Sequence, residues 1–285
     1  MGNCILSKKY VEYYNSGMIK SKKWSTCGVL DRRNKPANIE YHENGNFSIE
    51  EWYCKGVLHN DGNPARIKYF KNGNVQSKEW IVNGKNHRDN GPAHIEYYEN
   101  KNIDNQRWYF LGQNKNFGDN PSYLAFYENG FPKLEIWAGE TVGYSKRNIN
   151  EANVIGYYDN GSIFSRQWEI RNGIQNGVIY RENGPAYMEY YDNGNILRHQ
   201  YTDKKGLTVC SIEWYNNGNI RTQEWHKNGK LHRANDLPAR IEFFENGKIK
   251  SKEWRVLGVL YREKGSAYIE YSLNRIKRVS GSKRR

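Results

Sequence analysis

The chain contains 285 residues, among them 44 Lys and Arg and 31 Asp and Glu, which gives a formal charge of +13. Hydrophobic residues make up only 37%, and no apolar run approaches the roughly 18 residues that a transmembrane helix needs. This composition excludes a membrane-spanning helix and an acidic, self-repelling disordered chain. Aromatic residues supply 14% of the chain, so we expect its packing to rely on rings more than on aliphatic side chains.

The first nine residues, 1–9, are predicted to form an N-terminal basic segment with two candidate lipidation sites. Gly2 is positioned for myristoylation and Cys4 for palmitoylation, and the basic pair Lys8-Lys9 follows them. Two such signals are what stable membrane anchoring requires. The sequence departs from the acylation motif at Leu6, where Ser or Thr is expected, so a plain first strand is the alternative.

Internal repetition dominates residues 10–272, which we predict to be one repeat domain. Nine copies of an anchor that approximates Tyr-x-Asn-Gly are present, with a period of about 28 residues. His42, Phe70 and Phe244 replace the tyrosine, Ser16 the asparagine and Lys101 the glycine. Eight copies place a tryptophan seven residues after the anchor position, and Tyr201 stands there in the other copy. The turn glycines are Gly17, Gly45, Gly73, Gly130, Gly161, Gly194, Gly218 and Gly247, and the tryptophans, predicted to form a structural ladder, are Trp24, Trp52, Trp80, Trp108, Trp137, Trp168, Trp225 and Trp254.

Each copy predicts a β-hairpin followed by a second turn. Asn-Gly between aromatic or β-branched runs favours a type I′ turn, in which both central residues have positive φ. The strand before this turn alternates, with Ala93, Ile95 and Tyr97 on one face. In the strand after it, Ile249 and Trp254 have opposite parity, which predicts either a bulge or two apolar faces. A further glycine, usually four residues after the tryptophan, marks the second turn.

Two short strands in each copy cannot bury their own rings, so the copies must stack side by side. No segment carries a sustained apolar stripe of helical period, and the dense Gly, Asn and β-branched residues oppose long helices. The sequence therefore predicts an all-β protein, an elongated single-layer antiparallel β-meander of about nine to ten hairpin repeats.

The anchor and the turn that follows it resemble a known family. The Tyr-Tyr-x-Asn-Gly anchor with a turn such as Asn228-Gly229-Lys230-Leu231-His232-Arg233 is similar to the variant form of the MORN repeat, seen in bacterial proteins and in paralogous sets of large DNA viruses. The resemblance covers about residues 10–272, although these units are longer than the usual MORN repeat and are centred on Trp. It implies a non-enzymatic scaffold, often located at membranes. Tyr158-Asp159 and Tyr191-Asp192 also resemble the YD repeats of large β-spiral shells, which need many more copies.

Positive charge is concentrated at the two ends of the chain. Residues 1–35 carry a formal +6 and residues 240–285 carry +8, whereas residues 36–239 sum to −1. Basic ends bind anionic lipid or nucleic-acid phosphates, or they protect sheet edges from pairing. The near-neutral body argues against nucleic acid. The candidate anion-binding residues are Lys8, Lys9, Lys20, Lys22, Lys23, Arg275, Lys277 and Arg278, and residues 273–285 are predicted to be a basic disordered tail.

No catalytic, metal-binding or cofactor-binding constellation is predicted. His59, His87 and His232 occupy equivalent positions in three copies, as structural residues do. The four cysteines form no C-x-x-C pair, and no signal peptide is present, so we expect reduced thiols in a cytoplasmic protein.

Together these features predict a non-enzymatic repeat scaffold that binds a protein partner or an anionic membrane surface. The alternative is a nucleic-acid-binding or virion-associated structural protein that uses its basic termini. An enzyme is the remaining class, and its signature would be a unique pocket outside the repeat pattern.

Overall fold

The computed structural model describes residues 6–114, 120–137, 151–170, 177–272 and 275–280. Within these ranges the regular secondary structure consists of β-strands alone, which confirms the predicted all-β class. The contacts divide the chain, predicted as one repeat domain, into two compact units, Met1–Arg147 and Asn148–Arg285. None of the described ranges contains a helix able to cross a bilayer.

The first unit is an antiparallel meander of long strands with short hairpins between them. Its strands are β1 Ser7–Tyr13, β2 Ile19–Thr26, β3 Val29–Leu30, β4 Asn38–Tyr41, β5 Phe47–Glu51, β6 Tyr53–Cys54, β7 Val57–Leu58, β8 Arg66–Tyr69, β9 Val75–Glu79, β10 Ile81–Val82, β11 Lys85–Asn86, β12 His94–Tyr97, β13 Ile103–Arg107, β14 Tyr109–Phe110, β15 Gln113–Asn114, β16 Tyr123–Phe126 and β17 Pro132–Ile136. The long strands pair in the order β1-β2-β4-β5-β8-β9-β12-β13-β16-β17. The short pairs are β2–β3, β6–β7, β10–β11 and β14–β15.

The second unit repeats this plan. Its strands are β18 Val154–Tyr157, β19 Ile163–Gln167, β20 Glu169–Ile170, β21 Val178–Ile179, β22 Tyr187–Tyr190, β23 Ile196–Thr202, β24 Thr208–Trp214, β25 Ile220–Lys227, β26 Lys230–Leu231, β27 Arg240–Phe243, β28 Ile249–Glu253, β29 Arg255–Val256, β30 Val259–Leu260, β31 Tyr268–Ser272 and β32 Arg275–Ser280. The long strands pair in the order β18-β19-β22-β23-β24-β25-β27-β28-β31-β32. The predicted antiparallel hairpin meander is therefore present in each unit.

The long hairpins do not turn in the way that the sequence predicts. In the second copy the amide of Gly45 donates to the carbonyl of His42 at 2.9 Å, and the amide of His42 donates to the carbonyl of Asn46 at 2.8 Å. Gly45 has a φ of 89°, but Asn44 does not have a positive φ. This is a type I turn followed by a left-handed glycine, so the type I′ prediction is wrong here. Asn44 instead accepts the amide of Asn46 through its side-chain oxygen, at 3.1 Å.

The type I′ geometry occurs at the second glycine of the copy. Lys55 has a φ of 50° and Gly56 one of 81°, between strands β6 and β7. The same pair of positive φ values recurs in five other short hairpins, at Cys27-Gly28, Asn83-Gly84, Leu111-Gly112, Asn228-Gly229 and Leu257-Gly258. Only two of these six turns have asparagine at the first position, which is why the sequence gives a weaker signal there.

A β-bulge explains the parity of the returning strand. On β28, Ile249 pairs with Phe243 and Ser251 pairs with Glu242, so Lys250 is the extra residue. The bulge brings positions of opposite parity into one cluster. In an earlier copy of the same unit, Ile163 packs against the core cluster that contains Trp168.

The core is built from equivalent positions that recur once in each copy. The alanines that begin the entering strands, for example Ala65 and Ala93, are fully buried, and the amide of Trp80 donates to the carbonyl of Ala93 at 2.8 Å. The predicted tryptophan ladder is only partly buried: Trp80, Trp108, Trp168 and Trp254 are 5–8% exposed, whereas Trp24, Trp52, Trp137 and Trp225 are half-buried.

Neighbouring copies are also tied together at both margins of the sheet. At the long turns the Tyr14 hydroxyl donates to the carbonyl of Tyr41 at 2.7 Å, and the side-chain amide of Asn44 donates to the carbonyl of Lys71 at 2.7 Å. At the short hairpins the amide of Gly56 donates to the carbonyl of Leu30 at 2.8 Å. At the long turns the donor belongs to the earlier copy and the acceptor to the later one, whereas at the short hairpins the donor belongs to the later copy.

Three predictions about the ends and the cysteines need correction. Residues 275–280, predicted to lie in a disordered tail, form strand β32 and pair with β31. Strand β1 begins at Ser7, inside the predicted segment 1–9. Cys27 is disulfide-bonded and Cys54 and Cys210 are free, so the expectation of reduced thiols throughout is wrong.

Candidate anion-binding cluster of the N-terminal hairpin

Four of the cations near the N-terminus lie over aromatic rings. Lys9 is the cross-strand partner of Trp24, so the two side chains share a face of the β1–β2 hairpin. Its Nζ lies 5.7 Å from the centre of the Trp24 ring, and the guanidinium of Arg32 lies 3.7 Å from the same ring. The other two members are Lys20, 5.9 Å from the Tyr14 ring, and Lys22, 5.0 Å from the Tyr41 ring. We call Lys9, Lys20, Lys22 and Arg32 the cation cluster.

The cation cluster forms no ion pair with a carboxylate of the described residues. Among the residues that the structure describes, no Asp or Glu forms an ion pair with any of its four members, and the partners that they have are neutral. Lys22 donates to the Tyr41 hydroxyl at 3.1 Å, and Arg32 donates to the carbonyl of Pro36 at 3.1 Å. The charge of this cluster is therefore available to an external anion.

The remaining predicted anion-binding residues differ in their surroundings. Lys23 lies 3.7 Å from a carboxylate oxygen of Glu12, and Lys277 lies 3.7 Å from one of Glu270. Arg278 is the cross-strand partner of the same Glu270. Lys8 and Arg275 are exposed on β1 and β32, and Gly2 and Cys4 lie outside the described residues. The structure thus distinguishes an unpaired N-terminal cluster from a partly neutralised C-terminal one.

The same hairpin exposes large apolar side chains. Leu6 is 67% and Tyr13 is 61% exposed, and Tyr10 and Met18 are exposed as well. A single hairpin therefore combines unpaired cations with rings and aliphatic groups that face solvent. The sequence pointed to the lysines of this hairpin, but it gave no signal for Arg32.

Arginine also covers the tryptophans of later copies. The guanidinium of Arg88 lies 3.8 Å from the Trp80 ring, and the pattern recurs at Arg181 on Trp168, Arg233 on Trp225 and Arg262 on Trp254, at 3.5–4.2 Å. Sequence reasoning missed these arginines, although Arg88, Arg233 and Arg262 each stand eight residues after their tryptophan; Arg181 stands thirteen residues after Trp168. Because a guanidinium covers one side of each of these four rings, they are not open platforms for stacking.

A cavity of about 600 Å³ in the first unit is acidic. Glu96, Glu99, Asp104, Glu128 and Lys68 contribute to its lining. Burial raises the pKa of Glu96, but hydrogen bonds from Asn105 and His94 outweigh it, so the net pKa lies below its ordinary value. No group of three or more His, Cys, Asp and Glu side chains in the described ranges is arranged to hold a metal ion.

No family model and no curated protein matches the chain. Among solved structures the chain is similar to one in the crystal structure of TcdB2-TccC3-TEV, with 11% identity, a TM-score of 0.20 and coverage of 93% of this chain and 13% of that chain. It is also similar to a chain of the Photorhabdus luminescens Tc holotoxin pore with the mutation TccC3-D651A, with 11% identity, a TM-score of 0.15 and coverage of 93% and 13%. The chain thus spans about one eighth of these neighbours, and likeness at these TM-scores carries no argument.

Proposed function

We propose that this chain is a non-enzymatic repeat scaffold that docks on an anionic lipid surface through its N-terminal hairpin. The observation that carries the proposal is the cation cluster, whose four charges have no carboxylate partner among the described residues. Near an anionic membrane each lysine or arginine contributes about 1 kcal/mol of attraction.

The exposed apolar residues of the hairpin favour lipid over other anions. Leu6 and Met18 are aliphatic groups that bury area between lipid headgroups, and Tyr13, which shares the face of Lys9 in the alternation of β1, is a ring of the kind found at membrane interfaces. A nucleic acid would instead need ring faces for its bases. The rings of Trp24, Tyr14 and Tyr41 each have a cation over one side.

The proposal is tested by co-sedimentation of the full chain with vesicles. Wild type is expected to bind vesicles of phosphatidylcholine with 30% phosphatidylserine and not vesicles of phosphatidylcholine alone. In the triple variant Lys9→Gln, Lys20→Gln, Lys22→Gln we expect binding to weaken about 100-fold, from the loss of three charges near the surface.

A matched variant separates the cluster from net charge. Lys23→Gln, Lys250→Gln and Lys277→Gln remove the same charge from lysines that are paired with Glu12, Glu242 and Glu270. We expect this variant to bind within a few-fold of wild type. Equal losses in both variants, or tighter binding to a single-stranded oligonucleotide than to the anionic vesicles, would contradict the proposal.

A further inference from the structure

Consecutive copies within each unit join in one recurring register. The returning strand of one hairpin pairs with the entering strand of the next through three residue pairs, except that β23 and β24 are joined by five pairs in the same register. At β28 and β31 these are Ser251 with Glu270, Lys252 with Ile269, and Glu253 with Tyr268. Three pairs also join β5 to β8, β9 to β12 and β25 to β27.

Strands β1 and β32 each have one edge of this kind to which no strand pairs in the described ranges. In the described ranges β1 pairs only with β2, and β32 pairs only with β31. β1 is an entering strand and β32 is a returning strand, so their free edges are the two complementary halves of the recurring junction. Unpaired strand edges are templates for pairing with another chain.

The repeat register predicts which residues would meet at such a junction. Glu12 has the place of Glu270, because each precedes the bulge of its own hairpin. By the same alignment Arg278 has the place of Ser251. The junction would therefore pair Arg278 with Glu12, Val279 with Val11, and Ser280 with Tyr10.

The side chains at these positions are complementary. Arg198, in the position equivalent to Arg278, lies 3.4 Å from Glu189 of its own hairpin and 2.6 Å from Glu213 of the next strand. Arg278 has Glu270 across its own hairpin and would find its second carboxylate in Glu12. Val279 is 50% exposed and would cover Val11.

We propose that the chain associates head to tail with a second copy of itself, β32 of one copy pairing with β1 of the next. Lys8 and Lys9 lie outside the three residue pairs of the junction, so neither lysine is placed directly across from Arg278. The contact is heterologous and leaves a free edge at each end, so it generates open chains of copies. This inference does not depend on lipid binding, because Lys9 and Lys22 belong to a face of the hairpin and not to its edge.

Sedimentation velocity over a concentration series in 150 mM salt tests the proposal, with the full chain. Wild type is expected to form a concentration-dependent series of dimers, trimers and longer chains. Glu12→Arg and Arg278→Glu, each with one mismatched edge, are expected to be monomeric, and the double variant should regain the series. In an equimolar mixture of the two single variants, both junctions between unlike copies join opposite charges, so the mixture is also expected to regain the series, as alternating copies of the two variants.

The single variants need a folding control, because Glu12 also contacts Lys23 and Arg278 faces Glu270 within one copy. Circular dichroism and the melting temperature provide it. A wild type that stays monomeric throughout the series overturns the proposal. So does a closed dimer that both single variants still form, since that would show a different interface or a symmetric pairing of like edges.

Discussion

The guanidinium of Arg88 lies 3.8 Å from the Trp80 ring and donates to the carbonyl of Pro92 at 3.2 Å. A Cβ added to Gly91 would lie 3.2 Å from the same guanidinium, which leaves little room for a larger residue there. The arginine is thus enclosed between an indole, a carbonyl and a glycine, and it links the short hairpin of a copy to the start of the next strand.

The second copy shows how to remove this stack selectively. Asn60 stands where Arg88 stands, and its side-chain amide donates to the carbonyl of Pro64 at 2.8 Å. In Arg88→Asn we therefore expect the hydrogen bond to persist and the ring contact to be lost, at a cost of about 1–2 kcal/mol in the free energy of unfolding. Urea denaturation, monitored by tryptophan fluorescence, measures this change in the free energy of unfolding. The reciprocal change Asn60→Arg should stabilise, and destabilisation by both would contradict this account.

The fourth copy carries a strained turn. Lys101 has a φ of 75° at the position that other copies give to glycine. Lys101→Gly should raise the free energy of unfolding by about 0.5–1 kcal/mol, since the relief of strain exceeds the added entropy of the unfolded chain. Thermal denaturation tests this, with Gly73→Lys in the preceding copy as the opposite change. An unchanged or lower melting temperature for Lys101→Gly would refute it.

The tyrosines of the long turns contribute to cohesion between copies. The Tyr215 hydroxyl donates to the carbonyl of Phe243 at 2.9 Å. Tyr215→Phe is expected to lower the free energy of unfolding by about 1 kcal/mol, from the loss of that bond. Tyr261→Phe is the matched control, because among the described residues the Tyr261 hydroxyl has no hydrogen-bond partner. Chemical denaturation of both variants should separate them, and equal effects would argue against a role for the bond.

Tyr98 gives the first unit a sensitivity to alkali. Burial, together with the nearby Asp104 carboxylate, raises the pKa of Tyr98 to about 12, whereas an unfolded tyrosine titrates near 10. The stabilisation from the neutral phenol is complete below pH 10 and is lost as the pH rises towards 12. The destabilisation caused by Tyr98→Phe should therefore shrink between pH 9.5 and 11.5 in urea titrations. A difference that stays constant over this range would show that the hydroxyl is not coupled to proton uptake.

The repeat, its period and the hairpin positions follow from the sequence because Asn-Gly pairs and regular tryptophans are local signals. The turn types do not, because asparagine stabilises both a left-handed residue and a turn closed by its own side-chain oxygen. In the long turn, Asn44 closes the turn with its side-chain oxygen. In the short hairpin, Lys55 and not an asparagine has the left-handed conformation.

The arginine stacks and the end of the chain were beyond sequence reasoning for a different reason. Arg88 reads as one more surface charge until the turn brings it back over Trp80. Residues 275–280 were judged by their charge alone, whereas Ile276 and Val279 allow a strand that pairs with β31. In both cases a contact distant in the sequence decides the local structure.

The opposite directions of the ties at the two margins bear on how such a chain can change in length. A copy donates through Tyr14 and Asn44-type groups to the copy after it, and its short hairpin donates to the one before. Most internal copies therefore bring donors and acceptors for both neighbours, although Phe70 stands in the position of Tyr14 without a hydroxyl. Tandem duplication or loss of one period in the gene would leave the hydrogen bonds across the new seam satisfied, so natural variants that differ by whole periods should fold without compensating substitutions.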